Sequence, residues 1–149
     1  MFKEYYAYER FQEDVKRLIK ELKSSDFEAI VGVARGGLTL AHALAEGLAL
    51  RDVQTLRSEL YDESTKREGM TLFGDCNFVN KRRVLVVDDI ADSGETLQYV
   101  MEHLRQKYPE VAFSSATLFY KKTSIYEPHF WVNEATEWID FFWEADFRS

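Results

Sequence analysis

A run of four apolar residues, Val84-Leu85-Val86-Val87, ends abruptly in two adjacent acids, Asp88 and Asp89, followed by Ile90-Ala91-Asp92-Ser93-Gly94-Glu95-Thr96-Leu97. An unbroken apolar run of this length reads as a strand buried on both faces, inside a sheet rather than at its edge. The short polar residues after it lead into the helical spacing of Leu97, Val100, Met101 and Leu104, which predicts a helix over Glu95 to Lys107. A strand that passes through a polar loop into a helix is the unit from which parallel α/β sheets are built. In such sheets ligands sit beyond the carboxyl ends of the strands, so the loop after Val87 is a place to look for chemistry.

The rest of the chain repeats the pattern. Phe11, Val15, Leu18, Ile19 and Leu22 share one face of a helix. Ala29 to Ala34 reads as a second buried strand ending at Arg35-Gly36-Gly37, and the Ala- and Leu-rich stretch Leu38 to Leu50 as a helix. Val53 to Leu56, Met70 to Phe73, Val111 to Tyr120 and Phe130 to Val132 are further strand candidates, and the charged segment Tyr61 to Gly69 reads as an exposed loop. No repeat, low-complexity tract or Pro/Gly/Ser-rich linker divides the chain, so one domain over residues 1–149 is expected.

Composition narrows the partners. The net charge of -7 argues against nucleic-acid binding, which needs Lys and Arg against phosphates. No apolar stretch approaches the ~20 residues of a membrane helix, and the start lacks the layout of a secretory signal. The single cysteine, Cys76, forms neither an internal disulfide nor a zinc cluster, which fits the reducing cytoplasm. His42, His103 and His129 are scattered and read as packing or surface residues.

The loop itself has chemistry to offer. Asp88 and Asp89 at a buried strand end need partners, and sugar hydroxyls or a divalent cation would satisfy them. Asp92-Ser93-Gly94-Glu95-Thr96 runs straight into a helix start, where converging N–H groups and partial positive charge hold a phosphate. Acids for hydroxyls beside a phosphate cradle describe a ribose 5-phosphate site. Helix capping by Asp92 or Ser93 accounts for one or two of these residues, not for the ordered string.

That string resembles the phosphoribosyl pyrophosphate (PRPP) signature of type I phosphoribosyltransferases, and the order of segments from about Ala29 onward resembles the bacterial xanthine-guanine enzymes. The resemblance implies an α/β fold with a central, mostly parallel sheet flanked by helices, and a small hood formed by the chain ends. It implies that Asp88 and Asp89 hold the ribose hydroxyls, with Asp89 also at Mg2+, the expected cofactor. Asp92 would act as general base, and the 5-phosphate would lie on Asp92, Ser93, Gly94, Glu95 and Thr96. Val33 to Leu38 is similar to the family's pyrophosphate loop, which assigns the leaving group to Arg35 and Gly36. Arg67 falls where the family carries an arginine on a closing loop, although Lys66-Arg67 also reads as a solvated charge pair.

Lys121 matches a lysine that reads the 6-oxo edge of the purine, with Lys122 beside it as the other candidate. Trp138 and Ile139 resemble the segment that stacks on the base and reads its C2 edge; packing of the tail is the other reading for Trp138. Tyr5, Tyr6, Tyr8 and Phe11 either cover the site as a hood or form a subunit contact. The expected activity is purine salvage from PRPP and a 6-oxopurine to a nucleoside monophosphate, by a cytoplasmic homodimer or homotetramer. A phosphoribosyltransferase for another nucleobase, or a non-catalytic sensor of PRPP or a nucleotide, are the two other readings.

Overall fold

A computed structural model describes residues 2–60 and 70–148. In chain order its elements are β1 (Lys3–Tyr6), α1 (Tyr8–Leu22), β2 (Ala29–Ala34), α2 (Leu38–Leu48), β3 (Val53–Leu60), β4 (Met70–Phe73), β5 (Arg83–Val87), β6 (Ile90–Ala91), α3 (Glu95–Lys107), β7 (Ala112–Tyr120), β8 (Phe130–Glu134), β9 (Trp138–Phe141) and α4 (Phe142–Ala145). The main sheet runs β4-β3-β2-β5-β7-β6, with β8 also paired to β7. Every pairing in it is parallel except β3 with β4.

Both faces of the sheet are covered, and alternation along β5 shows how. Leu85 and Val87 pack into a core with Leu18 and Leu22 of α1 and Leu40 and Leu44 of α2. Val84 and Val86 point the other way, into a core with Leu97, Val100, Met101 and Leu104 of α3. Leu85, Val84 and Val86 are fully buried, each contributing about 1.5–3 kcal/mol of apolar burial. The helical spacing expected over Glu95 to Lys107 is thus the face that covers β5.

The chain ends meet in a second, two-stranded sheet of β1 and β9, in which Lys3 pairs with Trp138 and Tyr6 with Phe141. Tyr6, fully buried, anchors this hood: its ring makes edge contacts with Phe11, Phe119, Phe141 and Trp143. Its hydroxyl donates to Asp14 Oδ2 at 2.6 Å. Tyr6 and Phe11 are therefore core residues, whereas Tyr5 and Tyr8 remain half exposed. β3 runs on to Leu60, and some boundaries differ from the sequence expectation: α2 stops at Leu48, with Ala49 in the left-handed region, and β8 runs further than expected.

Candidate active site

The strand ends of β2, β5 and β7 deliver three loops to one edge of the sheet, and the hood covers it. At the end of β5, Asp88 N–H donates to the Ala116 carbonyl, while the Asp89 carbonyl accepts from Leu118 N–H at 3.0 Å and Phe119 N–H at 3.2 Å. The chain is thereby stitched to β7 across the point where the two acids project. Asp89 N–H donates to Asp88 Oδ1 and Ile90 N–H to Asp89 Oδ1, both at 2.8 Å. Those amides do not compensate fully. Burial, and after it the charge of Asp89, raises the Asp88 carboxyl well above the usual range. Burial likewise pushes Asp89 up to about 6. A divalent cation or a pair of hydroxyls would relieve this cost.

The loop after β2 packs directly on the pair. The Ala34–Arg35 peptide bond is cis. A methyl group at Gly36 would lie 2.4 Å from Asp89 Oδ2, so only glycine lets this backbone approach the carboxylate. Arg35, Gly36, Asp88 and Asp89 share a cleft of about 750 Å³, which Thr96 of α3 also lines. Arg67 lies outside the described residues, as does the Tyr61 to Gly69 loop. Among the described residues, no group of three or more His, Cys, Asp or Glu side chains converges on one point. The carboxylates of Asp88 and Asp89 suit Mg2+, which takes one or two protein carboxylates and completes its shell with water and substrate phosphates.

β6 and the helix start build the next part. Pairing Ile90 with Phe119 and Ala91 with Tyr120 sets Asp92 level with Lys121, whose N–H donates to the Ala91 carbonyl at 3.0 Å. Helix α3 begins at Glu95, and Gly94 before it occupies the N-cap position with a φ of 85°, in the left-handed region. Neither Asp92 nor Ser93 caps the helix, contrary to the capping expected from sequence. Ser93 Oγ instead accepts a 3.3 Å bond from Glu95 N–H, a local turn that leaves the helix start without a side-chain cap. Those first-turn amides are what an anion needs. The segment Ser124 to Tyr126 leans on this loop: Ile125 N–H donates to the Ser93 carbonyl, and a methyl at Gly94 would meet Ser124 Oγ at 2.2 Å.

A second cavity, about 440 Å³, opens on the other side of Asp89 and is lined by Asp92, Lys121, Trp138 and Ile139. Lys121 Nζ is 3.5 Å from Asp92 Oδ1 inside it, whereas Lys122 pairs with Glu134 at 3.6 Å and is absent from the lining. Of the two lysines, Lys121 is the one brought to the cavity. Trp138 is about half exposed, with its indole N–H donating to Asp140 Oδ1 at 3.1 Å, and it lines the cavity. Asp89 and Glu144 line both spaces and so join them.

Sequence reasoning brought Asp88, Asp89, Asp92, Thr96, Arg35, Gly36, Lys121, Trp138 and Ile139 to these two connected spaces. It missed Phe2, Glu137 and Glu144, which line the smaller cavity, and Ser58, which lines the larger. The high aromatic content of both chain ends was the available signal for Phe2; nothing local marks Glu137, Glu144 or Ser58.

Comparison with known proteins agrees with this geometry. The profile of the phosphoribosyl transferase domain family matches residues 1–148. The structure of a Helicobacter pylori xanthine-guanine-hypoxanthine phosphoribosyltransferase superposes with a TM-score of 0.91 at 36% identity, over 97% of this chain and 96% of that one. A purine phosphoribosyltransferase from Pyrococcus horikoshii superposes with a TM-score of 0.85 at 27% identity, over 97% of this chain and 95% of that one. A xanthine-guanine phosphoribosyltransferase of Idiomarina loihiensis is 27% identical over 128 residues, 84% of this chain and 76% of that protein. A profile spanning nearly the whole chain and a full-length structural match above 30% identity place this protein in a family whose signature its strand-loop-helix segment carries: the chain belongs to the type I phosphoribosyltransferases, close to the xanthine-guanine enzymes.

Proposed function

We infer that this protein transfers the ribose 5-phosphate of PRPP to a ring nitrogen of a 6-oxopurine (xanthine, guanine or hypoxanthine) and releases pyrophosphate. The observation that carries the reading is the meeting of Lys121 and Asp92 in a cavity walled by Trp138 and Ile139, one side chain away from the cleft of Arg35, Gly36 and Asp88. A base site and a pyrophosphate site that share Asp89 put a purine nitrogen and an anomeric carbon within reach of each other.

In this reading a bond forms between the purine nitrogen and the anomeric carbon as the bond from that carbon to the pyrophosphate oxygen breaks. Asp92 takes the proton that the purine nitrogen sheds, and Lys121 donates to the 6-oxo edge, so the two ends of one ion pair serve two edges of one base. Asp88 and Asp89 hold the ribose hydroxyls, and their charge favours the positive character that develops at the anomeric carbon. Ser93, Gly94, Glu95 and Thr96 hold the 5-phosphate, Glu95 through its backbone because its carboxylate would repel the anion. Arg35 and Gly36 receive the leaving pyrophosphate, with Arg67 assigned to the same group. Mg2+ bound at Asp89 would neutralise charge on the departing oxygens. A cytoplasmic setting and a homodimer or homotetramer complete the proposal.

A spectrophotometric assay with PRPP, Mg2+ and each of guanine, xanthine, hypoxanthine and adenine tests it. Turnover of at least one 6-oxopurine and none of adenine is expected. Turnover of adenine alone, or of no base despite PRPP binding, overturns it.

A further inference from the structure

We propose that Phe2 is a base-contacting residue whose ring closes the open side of the cavity holding Lys121, Trp138 and Ile139 and stacks on the bound purine. The inference rests on the 6-oxopurine reading above and extends it to the N-terminal strand.

Strand register is the first support. β1 and β9 run parallel with Lys3 opposite Trp138 and Glu4 opposite Ile139. Tyr6 of β1 and Ile139 and Phe141 of β9 are buried, which identifies the side of this ribbon that faces the main sheet. Phe2 immediately precedes β1 and lies two residues before Glu4, so extending the strand's alternation by one residue puts it on that same side. Pairing of Lys3 with Trp138 brings the chain next to Phe2 beside β9, although 136 positions separate Phe2 from Trp138 in the chain.

Exposure is the second. Phe2 lines the cavity, yet 82% of its surface is open to water. Tyr6, four residues further on, is wholly buried, so the two aromatic residues have opposite fates. One anchors the hood and the other is left at the cavity mouth. A planar apolar ligand there would take the Phe2 ring out of water, and aromatic faces stack on any nucleobase because every base presents a π-face. Trp138, at 49% exposure, lines the same space and supplies a second ring. Contact through a ring face carries no hydrogen-bond code, so Phe2 holds purines without distinguishing their exocyclic groups; that distinction stays with Lys121 and the hood backbone.

Steady-state kinetics of the full chain with guanine, hypoxanthine and PRPP, for wild type, Phe2→Ala and Phe2→Tyr, provide the test. Phe2→Ala is expected to raise KM for both bases in parallel by roughly 5- to 50-fold, the range of a lost stacking contact, with KM for PRPP unchanged. Phe2→Tyr, which keeps the ring, should restore it. An unchanged base KM in Phe2→Ala overturns the inference alone, as does an equal rise in KM for PRPP, which would mean a general disturbance. Wild-type protein that turns over no 6-oxopurine overturns this inference and the functional reading together.

Discussion

Lys121 Nζ and Asp92 Oδ1 lie 3.5 Å apart on the lining of the smaller cavity, held there by the pairing of β6 with β7. Both side chains are about half exposed, so the pair adds little to stability. Its value is positional: the two side chains stand together on the lining of one cavity. Lys121→Ala is expected to lower kcat/KM for 6-oxopurines roughly 10- to 100-fold, as for a lost charge-assisted hydrogen bond, with thermal stability hardly altered. Lys122→Ala, whose lysine pairs with Glu134 instead, should leave turnover intact and serves as the control.

The acidic pair predicts a trade between stability and activity. Asp88 and Asp89 both have carboxyls raised by burial. The protonated pair is therefore the form the fold accommodates best. As pH climbs from the ordinary carboxyl range near ~4, the unfolded chain ionises first, and stability falls through the raised folded values. The loss is complete once pH exceeds those values. Asp88→Asn removes one charge and keeps an oxygen to accept from Asp89 N–H. It should raise Tm at pH 7 by a few degrees, on the order of 1–2 kcal/mol, and the gain should vanish near pH 4. Turnover should be lost. Calorimetry at both pH values checks the sign; a lower Tm at pH 7 would refute it.

Gly36 gives a prediction of the opposite kind. Its φ is unexceptional, so alanine is tolerated by the backbone, but the added methyl would stand 2.4 Å from Asp89 Oδ2. Asp89 must move by about an ångström, enough to cost on the order of 100-fold in rate when a positioned group is displaced. Gly36→Ala should therefore lose most of its kcat/KM while its circular dichroism and cooperative melting persist. Full activity in Gly36→Ala would show that the close approach is dispensable.

How far the chain could be read in advance follows from the range of each interaction. The strand Ala29–Ala34 and the helix Glu95–Lys107 appear at their expected limits because apolar runs and helical spacing are local. The loop from β5 to α3 was legible as a loop for the same reason, because Asp88 to Thr96 is one continuous string. Pairing of Lys3 with Trp138 was not legible, since four-residue strands at opposite ends of the chain carry no local sign of each other. The hood was expected from resemblance, its register was not. The two-residue strand Ile90–Ala91 hid inside what reads as loop, yet it aligns Asp92 with Lys121 and so distinguishes Lys121 from Lys122. Helix capping misled because Asp92 and Ser93 are good capping residues by type, whereas Gly94 occupies the N-cap position.

Tyr6 is expected to link the hood's stability to base binding. Its hydroxyl donates to Asp14 Oδ2 at 2.6 Å, and Asn133 Nδ2 donates to the same oxygen at 2.8 Å. Arg10 completes the network by bonding Glu4 and Asn133 Oδ1 while its guanidinium lies 5.3 Å from the Tyr6 ring centre. Burial raises the phenol well above its ordinary range, so it stays a donor throughout the accessible pH. Tyr6→Phe keeps the ring packing but leaves Asp14 short of one donor, at a cost of about 1–2 kcal/mol, or roughly 3–8 °C in Tm. Because β1 holds β9 in register, the loosened ribbon should present Trp138 and Ile139 less well. KM for the base is then expected to rise several-fold with KM for PRPP unaffected, since Arg35, Gly36 and Asp88 belong to other loops. A stability loss with both constants unchanged would mean that the ribbon keeps its position without this bond, and that the hood is rigid through its aromatic packing alone.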